Sequence, residues 1–106
     1  MISDKVANTV HWIPGRSYNG YTDLLSYIIY LKNQGYRTGR FNAINLCSLP
    51  TQNWDYIIDF TFSDSGDSLL VRANGMFLYD EKIVFASKQS DGTYAWSGGW
   101  KTITFA

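Results

Sequence analysis

Several residue types on which protein chemistry often depends are scarce in this sequence. Its 106 residues include one cysteine, one histidine and two prolines, and Glu81 is the single glutamate. Cys47 therefore cannot form a disulfide within the chain, and a zinc site would need several more cysteine or histidine ligands. The scarcity excludes a disulfide-stapled fold and a cysteine-based metal centre.

Net charge is lacking as well. Nine basic residues balance nine acidic ones, so there is no overall field that would draw the chain to nucleic acid or to an anionic membrane. No apolar run approaches the roughly 20 residues of a membrane span, and Met1 to Val6 lacks the basic-then-apolar order of a signal peptide. Together with the single cysteine, these features predict a soluble, cytoplasmic protein without a membrane partner.

Aromatic residues, in contrast, are abundant. Eight tyrosines, six phenylalanines and four tryptophans make up 17% of the chain, as much as all the charged residues together. This composition is typical of a folded domain rather than of a disordered tail, and the length suits one hydrophobic core. We expect a single domain over residues 1–106.

The first half of the chain predicts one strand and one helix. Val10 to Ile13 is a short apolar run that a Pro-Gly pair ends. From about Gly20 to Gln34, apolar residues recur at helical spacing, and Gly35 suits the left-handed position that follows a helix. Residues 36–53 have the composition of a loose segment with one short strand, Ile44 to Cys47.

The second half predicts strands. Tyr56 to Phe62 alternates with a period of two, the pattern of a strand with one buried face. Leu69 to Ala73 predicts the next strand, and Asn74-Gly75 supplies the two positive-φ residues of a type I′ hairpin. We therefore predict an α+β fold, with one amphipathic helix packed on a mostly antiparallel sheet of about five or six strands. The remaining candidate strands are Met76 to Tyr79, Ile83 to Ala86, Thr93 to Trp96 and Trp100 to Phe105.

No constellation of residues indicates an enzyme. His11 and Glu81 are each the single residue of their type, and no serine, cysteine or aspartate stands at a spacing that brings it a base. Cys47 and His11 could meet in the fold as nucleophile and base, but a lone cysteine beside apolar residues is more often a buried small hydrophobe. The aspartates in turns match no calcium-binding loop. We predict no catalysis, no metal and no cofactor.

The aromatic surplus favours a binding surface. A domain of this size cannot bury every aromatic residue, and exposed rings beside an arginine can stack on a base or anchor a protein partner. For any single ring, packing in the core is the competing interpretation. Phe77 and Tyr79 lie two residues apart and therefore share one face of a strand, so burial of both would remove the main residues of the hypothesis. The candidate binding residues are Phe77, Tyr79, Arg72, Tyr94 and Trp96.

Three short motifs are informative as a set: Gly20 to Leu25 (GYTDLL), Leu49-Pro50, and Leu70 to Leu78 (LVRANGMFL). In this order they resemble the Ser-Tyr-x-x-Phe-Ile helix start, the Leu-Pro dipeptide and the Asn-Leu-Tyr-Val strand in the sheet-rich N-terminal part of the ribosome-inactivating proteins, which are ribosomal-RNA N-glycosidases. The resemblance spans roughly residues 9–96. It implies that Phe77 takes the place of a tyrosine that stacks on the target adenine.

The active site that this family requires is incomplete in the sequence. The resemblance implies two stacking tyrosines, together with a glutamate and an arginine one helical turn apart. Glu81 has no arginine four residues later, and Phe77 lacks the tyrosine hydroxyl. Such a domain would contact RNA or the ribosome without removing a base. Three further positions depart from the family's usual residues, namely Gly75, Asp80 and Ile29.

Two functional hypotheses follow from these observations. The first is a small interaction protein, such as an inhibitor or an immunity-type protein, that binds a larger protein partner through an aromatic surface. The alternative is a shortened or fragmentary domain of the ribosome-inactivating kind that contacts the ribosome or RNA in a salt-dependent manner. The first hypothesis requires no missing residues, so we place it ahead.

Overall fold

The computed structural model describes residues 11–51, 53–75 and 81–103. Within these ranges the chain forms one α-helix and a seven-stranded sheet of mixed, mostly antiparallel pairing. The predicted α+β class, with a single helix on a mostly antiparallel sheet, is confirmed. The sheet has one or two strands more than the predicted five or six.

The strands follow one another across the sheet almost in chain order. Spatially the order is β1-β2-β3-β4-β5-β6. The short strand β7 also pairs with β5, at the opposite end of that strand from β6. β1 runs parallel to β2, while all other pairs are antiparallel. The elements are β1 (Trp12–Ile13), α1 (Leu24–Asn33), β2 (Thr38–Ala43), β3 (Tyr56–Phe62), β4 (Ser68–Gly75), β5 (Glu81–Lys88), β6 (Tyr94–Trp96) and β7 (Lys101–Ile103).

Helix α1 is shorter than its apolar periodicity predicts. The helix begins after Asp23, whose carboxylate accepts a hydrogen bond from the Ser26 amide at 3.0 Å and so caps the first turn. The preceding Tyr18–Gly20 is a separate 3₁₀ turn. At the other end, Gly35 has φ of 104°, as predicted for the residue that ends a helix. No helix in the described ranges is long and apolar enough to cross a membrane.

Strand β2 lies where the sequence predicted a loose segment, and the predicted strand Ile44 to Cys47 is wrong. Cys47 makes only an isolated bridge with Asp23. β2 contains Gly39 and Asn42, residues that disfavour strands in isolation, but pairing with its two neighbours overrides that preference. Gly39 is required there, because a Cβ atom would stand 2.7 Å from the Phe60 ring.

The predicted hairpin turn at Asn74-Gly75 is also wrong. Both residues belong to β4, where Asn74 pairs with Ile57 and Glu81, and Gly75 pairs with Tyr56. The alternation of buried residues in β4 simply continues through Gly75, so the strand has no reason to end at Ala73. The predicted strand Met76 to Tyr79 lies outside the described residues.

The alternation of side chains gives the sheet two different faces. One face, which we call the core face, packs against α1 and carries the buried residues of every long strand. Aromatic rings dominate its centre, where Phe41 meets both Tyr27 and Phe60. The buried core residues are Ile13, Tyr18, Leu24, Leu25, Tyr27, Ile28, Leu31, Phe41, Ala43, Leu46, Leu49, Tyr56, Ile58, Phe60, Phe62, Leu69, Val71, Ala73, Val84 and Ala86.

Candidate functional site

The other face of the sheet is not covered by any described element, and we call it the open face. A sheet with helices on one side only exposes the alternate residues of each strand to solvent. Strand register places these residues in rows that run across the strands. The open face consists of Trp12, Thr38, Arg40, Asn42, Ile57, Asp59, Thr61, Leu70, Arg72, Asn74, Glu81, Ile83, Phe85, Ser87 and Lys101.

Charged residues form the central row of the open face. Arg40 lies opposite Asp59 on β3, and Asp59 lies opposite Arg72 on β4. The Arg40 guanidinium binds the Asp59 carboxylate through two bonds, at 2.5 and 3.2 Å, a geometry that is stronger than a single contact. The hydrogen bonds and the charge of Asp59 raise the pKa of Arg40. Arg72 in turn lies 3.6 Å from the Glu81 carboxylate.

These ion pairs make the centre of the open face almost neutral. Both arginines on the face have a carboxylate partner, and the side chains of Arg40 and Arg72 are still about half exposed, at 47% and 48%. Exposed pairs of this kind contribute little to stability. They do, however, fix the positions of two guanidinium groups that remain accessible to a partner.

Apolar side chains lie at one end of the charged row, where Trp12 is opposite Arg40, and in the neighbouring row, where Phe85 is opposite Leu70. Trp12 at the β1 edge and Phe85 on β5 are 55% and 53% exposed, the two highest values among the exposed large hydrophobic residues of the described chain. Leu70 on β4 pairs with Phe85 on β5. Leu70 also lines a hollow of about 290 Å³ together with Thr61 and Arg72. Large exposed aromatics beside anchored arginines are the composition of protein interfaces.

The structure separates the predicted binding residues. Arg72 lies on the open face, as described above. Tyr94 and Trp96 lie on the core face, where Tyr94 packs 5.9 Å from Phe62 and its hydroxyl donates a hydrogen bond to the Gly66 carbonyl. Arg72 therefore does not share a surface with Tyr94 and Trp96. Phe77 and Tyr79 lie outside the described residues.

Sequence reasoning missed Trp12 and Phe85 as candidates. Trp12 precedes the Pro-Gly break in a run too short to show alternation. Phe85 sits in the continuous apolar run Ile83 to Ala86, which shows no alternation of apolar and polar residues. The sequence therefore carries no signal that separates the exposed Phe85 from its buried neighbours Val84 and Ala86.

The residues considered for catalysis lie on separate elements. His11 packs against Tyr36 with ring centroids 6.0 Å apart, Glu81 pairs with Arg72, and the exposed Cys47 stands in the loop after β2. Within the described ranges, no three histidine, cysteine, aspartate or glutamate side chains gather in a way that could hold a metal ion. The absence of catalysis remains a prediction.

Comparison with known proteins finds no matching family model, no matching curated protein and no matching solved structure. The resemblance to the ribosome-inactivating proteins therefore remains a prediction from the sequence motifs.

Proposed function

We propose that this chain is a small interaction domain, of the inhibitor or immunity type, that binds a larger protein partner through the open face of its sheet. The observation that carries the proposal is the uncovered face itself, on which Trp12 and Phe85 expose more than half of their surface beside two anchored arginines. Aromatic residues and arginine supply most of the binding energy in protein interfaces.

Charge favours a protein partner over a nucleic acid. Binding to nucleic acid depends on cationic groups that neutralise phosphates, whereas Arg40 and Arg72 already have the carboxylates of Asp59 and Glu81 beside them. A phosphate would have to compete with these carboxylates. A protein surface with its own mixture of charges and apolar groups complements such a face without displacing the ion pairs.

Contact with the ribosome or RNA is the competing hypothesis. It depends on Phe77 and Tyr79, which lie outside the described residues, and on Arg72, whose guanidinium is already paired with Glu81. Affinity capture with and without RNase distinguishes this hypothesis from binding to a protein partner.

The test is an affinity capture with the tagged chain from lysate of cells that express it, with and without RNase. The informative variant is the double substitution Trp12→Ala with Phe85→Ala, because it removes the two most exposed aromatics of the open face. The matched control is Tyr21→Ala with Trp54→Ala, which removes two aromatics that are 40% and 38% exposed elsewhere on the molecule. Circular dichroism verifies that both variants are folded.

We expect one RNase-resistant protein partner whose dissociation constant rises at least about tenfold in the open-face variant and stays unchanged in the control. Equal capture by the two double variants would contradict the use of the open face. Loss of the partner on RNase treatment would replace the proposal with contact to RNA or the ribosome.

A further inference from the structure

The charged row of the open face crosses the whole sheet. The three charges nearest its middle alternate in sign, because Asp59 stands between Arg40 and Arg72. The midpoint of the row falls between Asp59 and Arg72, at the boundary of β3 and β4. Strand register sets one residue of the row at each strand position, in the order Trp12, Arg40, Asp59, Arg72, Ile83 and Lys101.

A row with this order of charges is complementary to its own reverse. Identical chains usually associate about a two-fold axis, so that residue i meets residue j and residue j meets residue i. An axis that lies between two facing sheets, along the boundary of β3 and β4, places Asp59 of each copy opposite Arg72 of the other. The same axis passes through the middle of the six strand positions, so the two sheets overlap fully. An axis along the row would instead set each charge against its own counterpart, which is repulsive.

The groups at this axis retain hydrogen-bonding capacity. Among the described residues, the one polar contact of the Arg72 side chain is with Glu81, and its 3.6 Å is longer than a hydrogen bond. The Arg72 guanidinium therefore keeps N–H donors for a second carboxylate. The Asp59 carboxylate accepts two bonds from Arg40, and a carboxylate has about four acceptor positions. Each copy thus supplies one donor group and one acceptor group at matching positions.

The open face is large enough for a pair of copies. β3 has seven residues, so six strand positions about 4.8 Å apart give a face of about 29 by 24 Å, or about 700 Å². Specific interfaces bury about 600–1,000 Å² on each partner. Pairing would cover the highly exposed Trp12 and Phe85. Helix α1 packs against the core face and does not obstruct the contact.

We propose that two copies of this chain pair through their open faces and form a dimer with the layers helix, sheet, sheet, helix. Sheets packed face to face keep their strands within about 30° of each other, and an axis along the strands satisfies this. Two copies meet without strong repulsion, because the charges of the face sum to one positive charge, from Arg40, Arg72, Lys101, Asp59 and Glu81.

Self-pairing would regulate access to the open face. It hides the residues through which the larger partner binds in the function proposed above, so the partner and the second copy exclude each other. This consequence rests on the proposed function, whereas the pairing itself does not.

Sedimentation velocity of the purified wild type at increasing concentration tests the pairing. We expect the mass to rise from 12.1 kDa towards twice that value between about 5 and 500 µM, the range of weak association. Over the same range, amide resonances of the isotope-labelled protein should shift at Arg40, Asp59 and Phe85 and stay constant in α1. The mass of a single chain throughout, or shifts centred on α1, would overturn the proposal.

Exchanged charges test the arrangement of the two copies. Asp59→Arg sets two arginines opposite each other at both contacts, and Arg72→Asp sets two aspartates there. We expect each variant alone to associate at least about tenfold more weakly than the wild type. In an equimolar mixture each new side chain faces the opposite charge on the other variant, so the dissociation constant should return to within about threefold of the wild type. A folded mixture that associates no more tightly than its components would refute the arrangement.

The matched control uses a second exposed aspartate–arginine pair. Asp64 and Arg37 bind each other outside the open face. Asp64→Arg and Arg37→Asp, alone or mixed, should leave the dissociation constant unchanged. A loss as large as that in the open-face variants would show that net charge governs association and would overturn the proposal. Circular dichroism verifies folding, and the wild-type shifts decide the pairing if Asp59→Arg does not fold.

The outcome separates this inference from the proposed function, because the dimer is measured on purified protein and the function by capture from lysate. A monomeric wild type that still captures a protein partner would overturn the pairing alone. A dimer that captures no partner would overturn the proposed function alone.

Discussion

The effect of a buried hydroxyl on the stability of this fold depends on whether that hydroxyl has a hydrogen-bond partner. Tyr18 and Tyr56 are both buried tyrosines, with exposures of 7% and 1%. The Tyr18 hydroxyl connects two backbone groups near the end of β2, whereas the Tyr56 hydroxyl is buried and has no hydrogen-bond partner among the described residues. A buried polar atom without a partner costs stability, and a bonded one contributes to it.

We therefore expect the same substitution to have opposite effects at these two positions. Tyr18→Phe should lower the free energy of unfolding by about 1–2 kcal/mol, because two part-buried backbone groups lose their partner. Tyr56→Phe should leave it unchanged or raise it by up to about 1 kcal/mol, because an unpaired hydroxyl is removed. Urea unfolding of both variants measures the difference. A loss at Tyr56 as large as that at Tyr18 would contradict the expectation.

At this scale the sequence predicts which side chains share a face but not which face is covered. The period of two correctly groups Arg72 with Leu70 and separates both from Val71. Where the helix packs is a property of distant residues, so Tyr94 and Trp96 could not be distinguished from Arg72 by position alone. Their placement against the core follows from contacts such as that between Tyr94 and Phe62.

At the scale of elements, close approach between strands matters as much as the alternation of residues. β2 lies between β1 and β3, and on the core face Gly39 leaves room for the Phe60 ring and the Ile13 side chain. Any larger side chain would push against both. The space at Gly39 thus couples the position of the first strand to the packing of the third.

Gly39→Ala tests this coupling. The new Cβ would stand 2.7 Å from Phe60 and 2.9 Å from Ile13, so we expect a loss of about 1–3 kcal/mol in the free energy of unfolding. Gly99→Ala is the matched control, because no atom lies within 4 Å of the corresponding Cβ, and its effect should stay within about 0.5 kcal/mol. Equal denaturation midpoints for the two variants would contradict the coupling.

The elements differ in how well their sequences predict them. β3 was predicted with its observed bounds because Tyr56 to Phe62 alternates without interruption and has neighbours on both sides. β2 was missed because its glycine and asparagine disfavour a strand unless paired. Asn74-Gly75 was misassigned because a dipeptide that suits a turn also fits a strand when Gly75 stands opposite the bulky Tyr56.

For the molecule as a whole, the raised pKa values of tyrosines link stability to alkaline pH. Burial raises the pKa of Tyr18, Tyr27 and Tyr94 above the ordinary value of 10.0. Above pH 10 the unfolded chain therefore releases protons that the folded chain keeps, and stability falls as pH rises. Below pH 10 this contribution is fully present.

Urea unfolding at several pH values between 8 and 11.5 measures this effect. We expect the free energy of unfolding to decline once the pH passes about 10, and Tyr27→Phe to make the decline shallower because one buried phenol no longer ionises. Trp54→Phe, a conservative change of an exposed aromatic, should show the wild-type slope. A decline of equal steepness in Tyr27→Phe would show that this phenol does not carry the linkage.

The fold class was predictable because it rests on two strong periodicities, one in α1 and one in β3. The parallel pairing of β1 was not, since two residues carry no signal of strand direction. The candidate binding face was predictable only in Arg72, because exposure of Trp12 and Phe85 depends on which side of the sheet the other described elements cover. That property belongs to the assembled molecule.

The order of the strands also sets how the molecule opens. β2 to β6 are joined by successive antiparallel pairings between chain neighbours, whereas β1 reaches β2 only after the chain has crossed through α1. Two residues and few hydrogen bonds, among them the 2.7 Å bond from the Arg40 amide to the His11 carbonyl, hold it there. Local opening follows such boundaries. We therefore expect the amide protons of β2 that face β1 to exchange with solvent through local opening. The amide protons between β3 and β4 should exchange only through global unfolding.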